Sequence, residues 1–275
     1  MKRIFAVACA AMMAPPAVVL AGAAEIQPHR AVYDVSLQAT DPSVSLVSGT
    51  GRLVLEITGS ICDGFSTTMR DVTRVTDREG TVQTTDQRVS SYETMDPPTF
   101  SFVNEIKVDG QQQSSLRGEA TARASGINVE VREPKDTSFE LRRGLFPVAH
   151  TLLLLDAAAE GERVLEAPLY PADESGDQVY DTTALIGPER TGLPGARARE
   201  VEALRVMEGA IDMAVYRVTM SYFKQSDGAG EKVPETEMSY SLMSNGVAYN
   251  VLFDYGGFGL TARLAELELI DGPGC

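Results

Sequence analysis

Tryptophan is missing from this 275-residue chain, and it has only two histidines and three cysteines. With His29 and His150 far apart, a metal centre built from nitrogen and sulfur ligands has too few donors. The signatures of common catalytic machinery are absent too: no G-x-S-x-G nucleophile elbow, no H-E-x-x-H, no Walker loop and no EF-hand loop. His150 lies in an apolar stretch with no nucleophile marked nearby, which favours a packed side chain over a general base. Positive charge is scarce, 24 Lys and Arg against 39 Asp and Glu, for a net charge of −15. Such a surface repels polyanions, so nucleic acid and anionic headgroups are poor partners. There is no low-complexity tract and no repeat of 20 to 50 residues. No apolar run after the first two dozen residues is long enough to span a membrane, so the remainder is expected to be soluble.

The opening MKRIFAVACAAMMAPPAVVLAGAA has the three parts of a secretory leader. Lys2 and Arg3 supply charge, Ile4 to Leu20 are apolar, and Ala21-Gly22-Ala23 is a small-residue cleavage site. Pro15-Pro16 and the short run argue against a membrane anchor. Cleavage near Ala23 or Ala24 divides the chain into a 1–24 leader and a 25–275 domain, and takes the net charge from −15 to −17 by removing Lys2 and Arg3. The leader also removes Cys9. Cys62 and Cys275 then enter an oxidising compartment, where two thiols more often pair than stay free. An intramolecular bridge would clasp the C-terminal end to the segment ICDGF. A surface thiol or an intermolecular bridge are the alternatives.

The dominant period is two, the mark of half-buried strands. Ala31, Tyr33, Val35 and Leu37 share one face, as do Leu53, Leu55 and Ile57. Phe100, Phe102, Ile106 and Val108 repeat the pattern, as do Ile127, Val129 and Val131. In the second half Ala214 to Tyr222, Met238 to Leu242 and Val247 to Tyr255 alternate likewise. Asn245-Gly246 separates two of these runs and reads as a primed hairpin turn. Asp109-Gly110 and Ser226-Asp227-Gly228 punctuate other pairs. A dozen or more strands make an antiparallel sheet too large to stay flat, and the fold class is all-β.

One segment departs from that pattern. In LFPVAHTLLLLDAAAEGE, Val148, Leu152, Leu155 and Ala159 recur at helical spacing, Pro147 stands near the start and Gly161 stops the run. The spacing predicts one helix over about 147–160. Because Leu152 to Leu155 point around most of its circumference, it must be covered nearly all round, and the concave side of a curved sheet would cover it. LTARLAELELI also fits a helix, but reads as a strand after Gly256, Gly257 and Gly259. The loops 171–178 and 187–198 are long enough to mark domain boundaries, but similar strands flank both. Asp173, Glu174 and Asp177 lack the ligand spacing of a calcium loop and read as a solvated turn. Tyr33, Phe100, Phe102, Tyr216, Tyr249 and Phe253, with Leu152 and Leu155, form a candidate apolar interior. The plainer reading is packed core; the other is a pocket for a lipid or lipoprotein acyl chain.

HRAVYDVSL, the CDGF cysteine, TFSFVNEIKVDG, the helical segment, LYPADESGDQVYDTTALIG and the terminal cysteine, taken in that order, resemble the alphaproteobacterial EipB family of cell-envelope integrity proteins. The resemblance covers essentially the whole chain after the leader. It implies a periplasmic protein with a spiral β-sheet like a half-open barrel and a disulfide at Cys62 and Cys275. It implies an envelope role, with no enzymatic activity, catalytic residues, cofactor or metal to transfer. A loose link to periplasmic tetratricopeptide-repeat proteins points to a protein partner. The expected function is envelope support through protein or lipid contacts, with acyl-chain carriage as the alternative.

Overall fold

The structure is a computed structural model that describes residues 24–173, 175–224 and 233–272. The leader before Ala24, Glu174, the expected turn at Ser226-Asp227-Gly228 and Cys275 lie outside the described residues.

Among the described residues fourteen strands form one antiparallel sheet. The first arm contains β1 (His29–Thr40), β2 (Leu46–Ser60), β3 (Gly64–Asp77), β4 (Val82–Met95), β5 (Pro98–Val108), β6 (Gln111–Arg123), β7 (Gly126–Glu133) and β8 (Thr137–Leu141). Helix α1 (Pro147–Ala159) crosses to the opposite edge. The second arm then returns through β9 (Val164–Leu169), β10 (Tyr180–Ile186), helix α2 (Ala198–Leu204), β11 (Val215–Phe223), β12 (Thr236–Met243), β13 (Ala248–Asp254) and β14 (Phe258–Leu269). The spatial order runs from β8 back to β1, then from β14 back to β9. Thus β1 lies in the middle, paired with β2 on one side and β14 on the other, and the chain meanders outward and then inward. Strand twist curls a sheet of this width, and register shifts within the β1–β14 and β12–β13 pairs add local bends. Among the described residues the edges β8 and β9 do not pair and one parallel bridge, Leu145 to Leu169, spans the seam, so the sheet is a half-open barrel.

Local chemistry explains the joints. Asp109 and Gly110 both take positive φ, 51° and 79°, giving a primed turn between β5 and β6. The Asn245-Gly246 turn differs from expectation: among its residues only Gly246 has positive φ, and its N–H donates to Met243 O. Pro147 begins α1, where its missing N–H is no loss. At the other end Gly161 N–H reaches Ala158 O and Glu162 N–H reaches Ala157 O, a Schellman closure. Val148, Leu152 and Leu155 are buried as their spacing predicts, together with His150, Leu154, Ala157 and Ala158. Ala159 is exposed, because the helix ends there, and Leu153 keeps 39% of its surface in solvent. All of LTARLAELELI but its last residue, Ile270, lies in β14, and the loops around 171–178 and 187–198 leave and rejoin the same sheet.

Candidate functional site

The buried apolar residues fall into two compartments. The larger includes Tyr33, Leu152, Leu155, Tyr216 and Tyr249, with Phe253 packed against its edge. Phe100 and Phe102, expected to share that interior, belong instead to a second cluster with Phe146 and Tyr170. They face inward on β5, but the Phe146 and Tyr170 rings close over them: Phe100 stacks on Phe146 at 5.2 Å, and Tyr170 meets Phe102 edge-on at 6.2 Å. These phenylalanines are therefore closed core.

The larger compartment is incompletely filled. A cavity of about 350 Å³ lies under the first turn of α1. Its floor is the inward face of β1 to β3, with Tyr33, Leu53, Leu55, Ile57 and Met69; Met238, Tyr240, Leu242, Val251 and Phe253 complete it from β12 and β13. Pro147, Val148 and Thr151 form its roof. The period-two pattern puts Leu53, Leu55 and Ile57 on this face, whereas Leu152, Leu155, Tyr216 and Tyr249 are buried elsewhere in the compartment and do not line the cavity. Its size and apolar walls match a site for an apolar chain.

Polar groups around the cavity are held in place. The Tyr33 hydroxyl donates to Ala248 O at 2.9 Å, and burial pushes its pKa up. His29 is buried at the wall with Nδ1 2.6 Å from Gln27 O, and burial lowers its pKa. Glu93, 1% exposed, extends from β4 to the start of α1 and accepts from Val148 N–H and Ala149 N–H, each at 2.8 Å. Those are two of the four amides that a helix N-terminus leaves unpaired. Burial raises the Glu93 carboxyl to about 7, against the pull of the two amides. On the far side of α1, the Thr182 hydroxyl donates to Ala167 O at 2.7 Å and so accepts from His150 Nε2–H at 2.9 Å. Burial holds His150 down at about 4, so it is a neutral, packed side chain.

A second buried carboxylate was not legible in the sequence. Glu200, on the short helix α2, is 1% exposed and enters the sheet where β13 and β14 part beyond the Val251–Ala262 pair. Its Oε1 accepts from Asn250 N–H at 2.8 Å and Leu264 N–H at 3.4 Å; its Oε2 accepts from Arg197 N–H at 2.9 Å. The Arg263 guanidinium lies 3.5 Å away. The carboxylate thus satisfies two strand amides that the neighbouring strand cannot reach. No capping-box signature announces it, because the Arg197 side chain has no acceptor; only the glutamate half of that motif, Glu200 to Arg197 N–H, is formed.

Asp173 and Asp177 serve their own loop. Asp173 accepts from Ser175, Gly176 N–H and Tyr180, and Asp177 from Ser175. Among the described residues no group of three or more His, Cys, Asp or Glu is placed to hold a metal, and no helix is long and apolar enough to cross a membrane. Cys62 lies exposed in the β2–β3 turn and is disulfide-bonded. The C-terminal segment passes the same place: a Cβ on Gly272 would lie 3.9 Å from Gly59 O.

The architecture defines a half-open antiparallel barrel plugged by a capped helix over an apolar cavity. The chain belongs to the EipB-like family, whose profile matches residues 20–271. It is 32% identical over 254 residues to the cell envelope integrity protein EipB of Brucella abortus (strain 2308), covering 91% of this chain and 87% of that protein. A crystal structure of a β-barrel-like protein of a domain of unknown function, also from Brucella abortus, superposes with a TM-score of 0.84 at 30% identity. That match covers 90% of this chain and all of the other.

Proposed function

We propose that this chain is a periplasmic, non-enzymatic protein that supports cell-envelope integrity through contacts with protein or lipid. The observation that carries this reading is its relation, over nearly its full length, to the cell envelope integrity protein of Brucella abortus. A leader at residues 1–24 fits export, and a strongly acidic surface suits a partner with basic or apolar surface, such as a tetratricopeptide-repeat protein. A bridge from Cys62 to Cys275 would fasten the end of the chain beside the turn that Gly272 approaches. The test is a strain lacking the protein, challenged with detergent and with an antibiotic that blocks wall synthesis. Sensitivity restored by the full chain, but not by residues 25–275 alone, is the expected result. Normal resistance in the deletion strain, or rescue without the leader, overturns the reading.

The cavity under α1 supports a second reading, carriage of an acyl chain. Native and denaturing mass spectra of protein purified from cells test it. Added mass that disappears on denaturation supports carriage.

A further inference from the structure

Among the described residues no charged side chain lines the cavity under α1, and its polar side-chain atoms come from His29, Tyr33, Thr67, Thr151 and Tyr240. Three of these have already spent a proton on a backbone carbonyl. The Tyr33 hydroxyl donates to Ala248 O and the Thr151 hydroxyl to Pro147 O, each at 2.9 Å. His29 Nδ1 lies 2.6 Å from Gln27 O. A carbonyl only accepts, so Nδ1 carries the proton. Burial keeps the ring neutral, which leaves Nε2 as an acceptor alone.

That acceptor opens on the cavity. His29 is 2% exposed, and among the described residues nothing in the protein bonds its Nε2. The sealed side-chain atoms that lack a partner are Ser114 Oγ, Arg142 Nε and Arg263 Nε. Nε2 is not one of them, so it is reachable, and the space that His29 lines is the cavity. A buried acceptor without a donor is costly, and a ligand that brings one removes the cost. The ring also stands at one end of the floor. His29 and Tyr33 are four residues apart on β1, roughly 13 Å along the strand, and their partners Ile57 and Leu53 on β2 line the same two ends. Thr67 pairs with Ile57 in the row that His29 begins. Its hydroxyl and that of Tyr240 have no protein partner among the described residues, and each can donate or accept.

We propose that the cavity takes a single-chain lipid with an uncharged hydroxyl head, its O–H donating to His29 Nε2 and its chain lying along the floor toward Tyr33. This rests on the carrier reading and adds the head chemistry that apolar walls alone do not specify. A hydroxyl supplies the donor that Nε2 lacks and keeps lone pairs for the Thr67 or Tyr240 hydroxyl. An ether oxygen only accepts and leaves Nε2 unpaired, and a carboxylate brings a charge that no cation in the lining offsets.

Calorimetric titration with octanol, its isomer heptyl methyl ether and octanoate, each below its solubility or micelle limit, tests it. Octanol should bind roughly tenfold or more tightly than the ether, with octanoate weakest. His29→Phe keeps a flat ring but removes the acceptor, and should bring octanol to within about twofold of the ether. A second readout needs no variant. The chain has two histidines, so nitrogen NMR resolves the His29 Nε2 resonance, which should move to lower frequency with octanol and stay in place with the ether. Leu55→Trp, which fills the floor, should weaken octanol and ether alike. Equal binding of octanol and the ether, tighter binding of octanoate, an Nε2 resonance that octanol does not move, or an octanol preference that survives in folded His29→Phe overturns the proposal and leaves the carrier reading standing. Failure of every probe to bind, or binding that Leu55→Trp does not weaken, overturns both.

Discussion

The Glu93 carboxylate and the Val148 amide are hydrogen-bonded at 2.8 Å although 55 residues separate them in the chain. That bond ties the third hairpin of the first arm to the helix that crosses to the second, and it determines how the interior responds to pH. The folded Glu93 pKa, about 7, lies above its ordinary 4.5. Between those values the folded chain binds more protons there than the unfolded chain, so the contribution of Glu93 to stability declines as pH rises through the window. Glu93→Gln should remove this decline, on the order of 3 kcal/mol between pH 4.5 and 7. Urea midpoints across that range check it: relative to wild type the variant should gain stability as pH rises, and a profile parallel to wild type contradicts the assignment.

His150 acts with the opposite sign. Its folded pKa, about 4, lies below the ordinary 6.5, so the unfolded chain binds the extra proton, and stability falls as pH drops from 6.5 toward 4. His29, also lowered by burial, adds in the same direction. The wild-type protein should therefore vary less with pH than either single variant. His150→Gln keeps a donor for Thr182 and should make the protein relatively more stable in mild acid. A wild-type profile parallel to that of His150→Gln would contradict a neutral buried imidazole.

The Cys62 bridge should reveal its partner by mutation. If Cys62 joins Cys275, Cys62→Ser and Cys275→Ser should lower stability equally, by roughly 2–5 kcal/mol, and the double variant should lose no more than either single one. Calorimetric melting without reductant distinguishes the cases. An unaffected Cys275→Ser protein excludes this pairing.

Glu200 should matter more than its place on a short surface helix implies. Glu200→Ala removes the acceptor for Asn250 and Leu264 amides and leaves Arg263 beside an empty site. Loss of one partner of such a buried pair destabilises by about 3–5 kcal/mol, readable in chemical denaturation. Glu202→Ala, which breaks an exposed pair with Arg205 three residues on, should lie within about 1 kcal/mol of wild type.

Strands with one wet and one dry face were legible: Leu53, Leu55 and Ile57 announce the cavity floor by alternation alone. The helix was legible because Leu152 to Leu155 cannot all face one way in a strand. What stayed hidden were the positions whose role exists only after the sheet curls. Glu93 lies near the end of VQTTDQRVSSYETM, polar on both faces, and resembles a surface residue until α1 lowers its amides onto it. His29 is hidden likewise, since a histidine at the first position of a strand has the look of a frayed end. Phe100 and Phe102 fit the plainer reading of packed core: alternation puts them inside, but says nothing of the Phe146 and Tyr170 rings that close over them.

The central place of β1 also sets an order of assembly. Hairpins from β1 to β8 join neighbours in sequence and can form as soon as those strands are available. The other edge of β1 has no partner until β14 arrives, since Val35 pairs with Ala262. Until then a strand with a strongly apolar face waits with open amides and carbonyls, the kind of edge that recruits foreign strands. Closing so long a loop is slow, so the most vulnerable moment of this protein falls just before its last strand docks. A holdase that shields one strand edge would protect it during that interval.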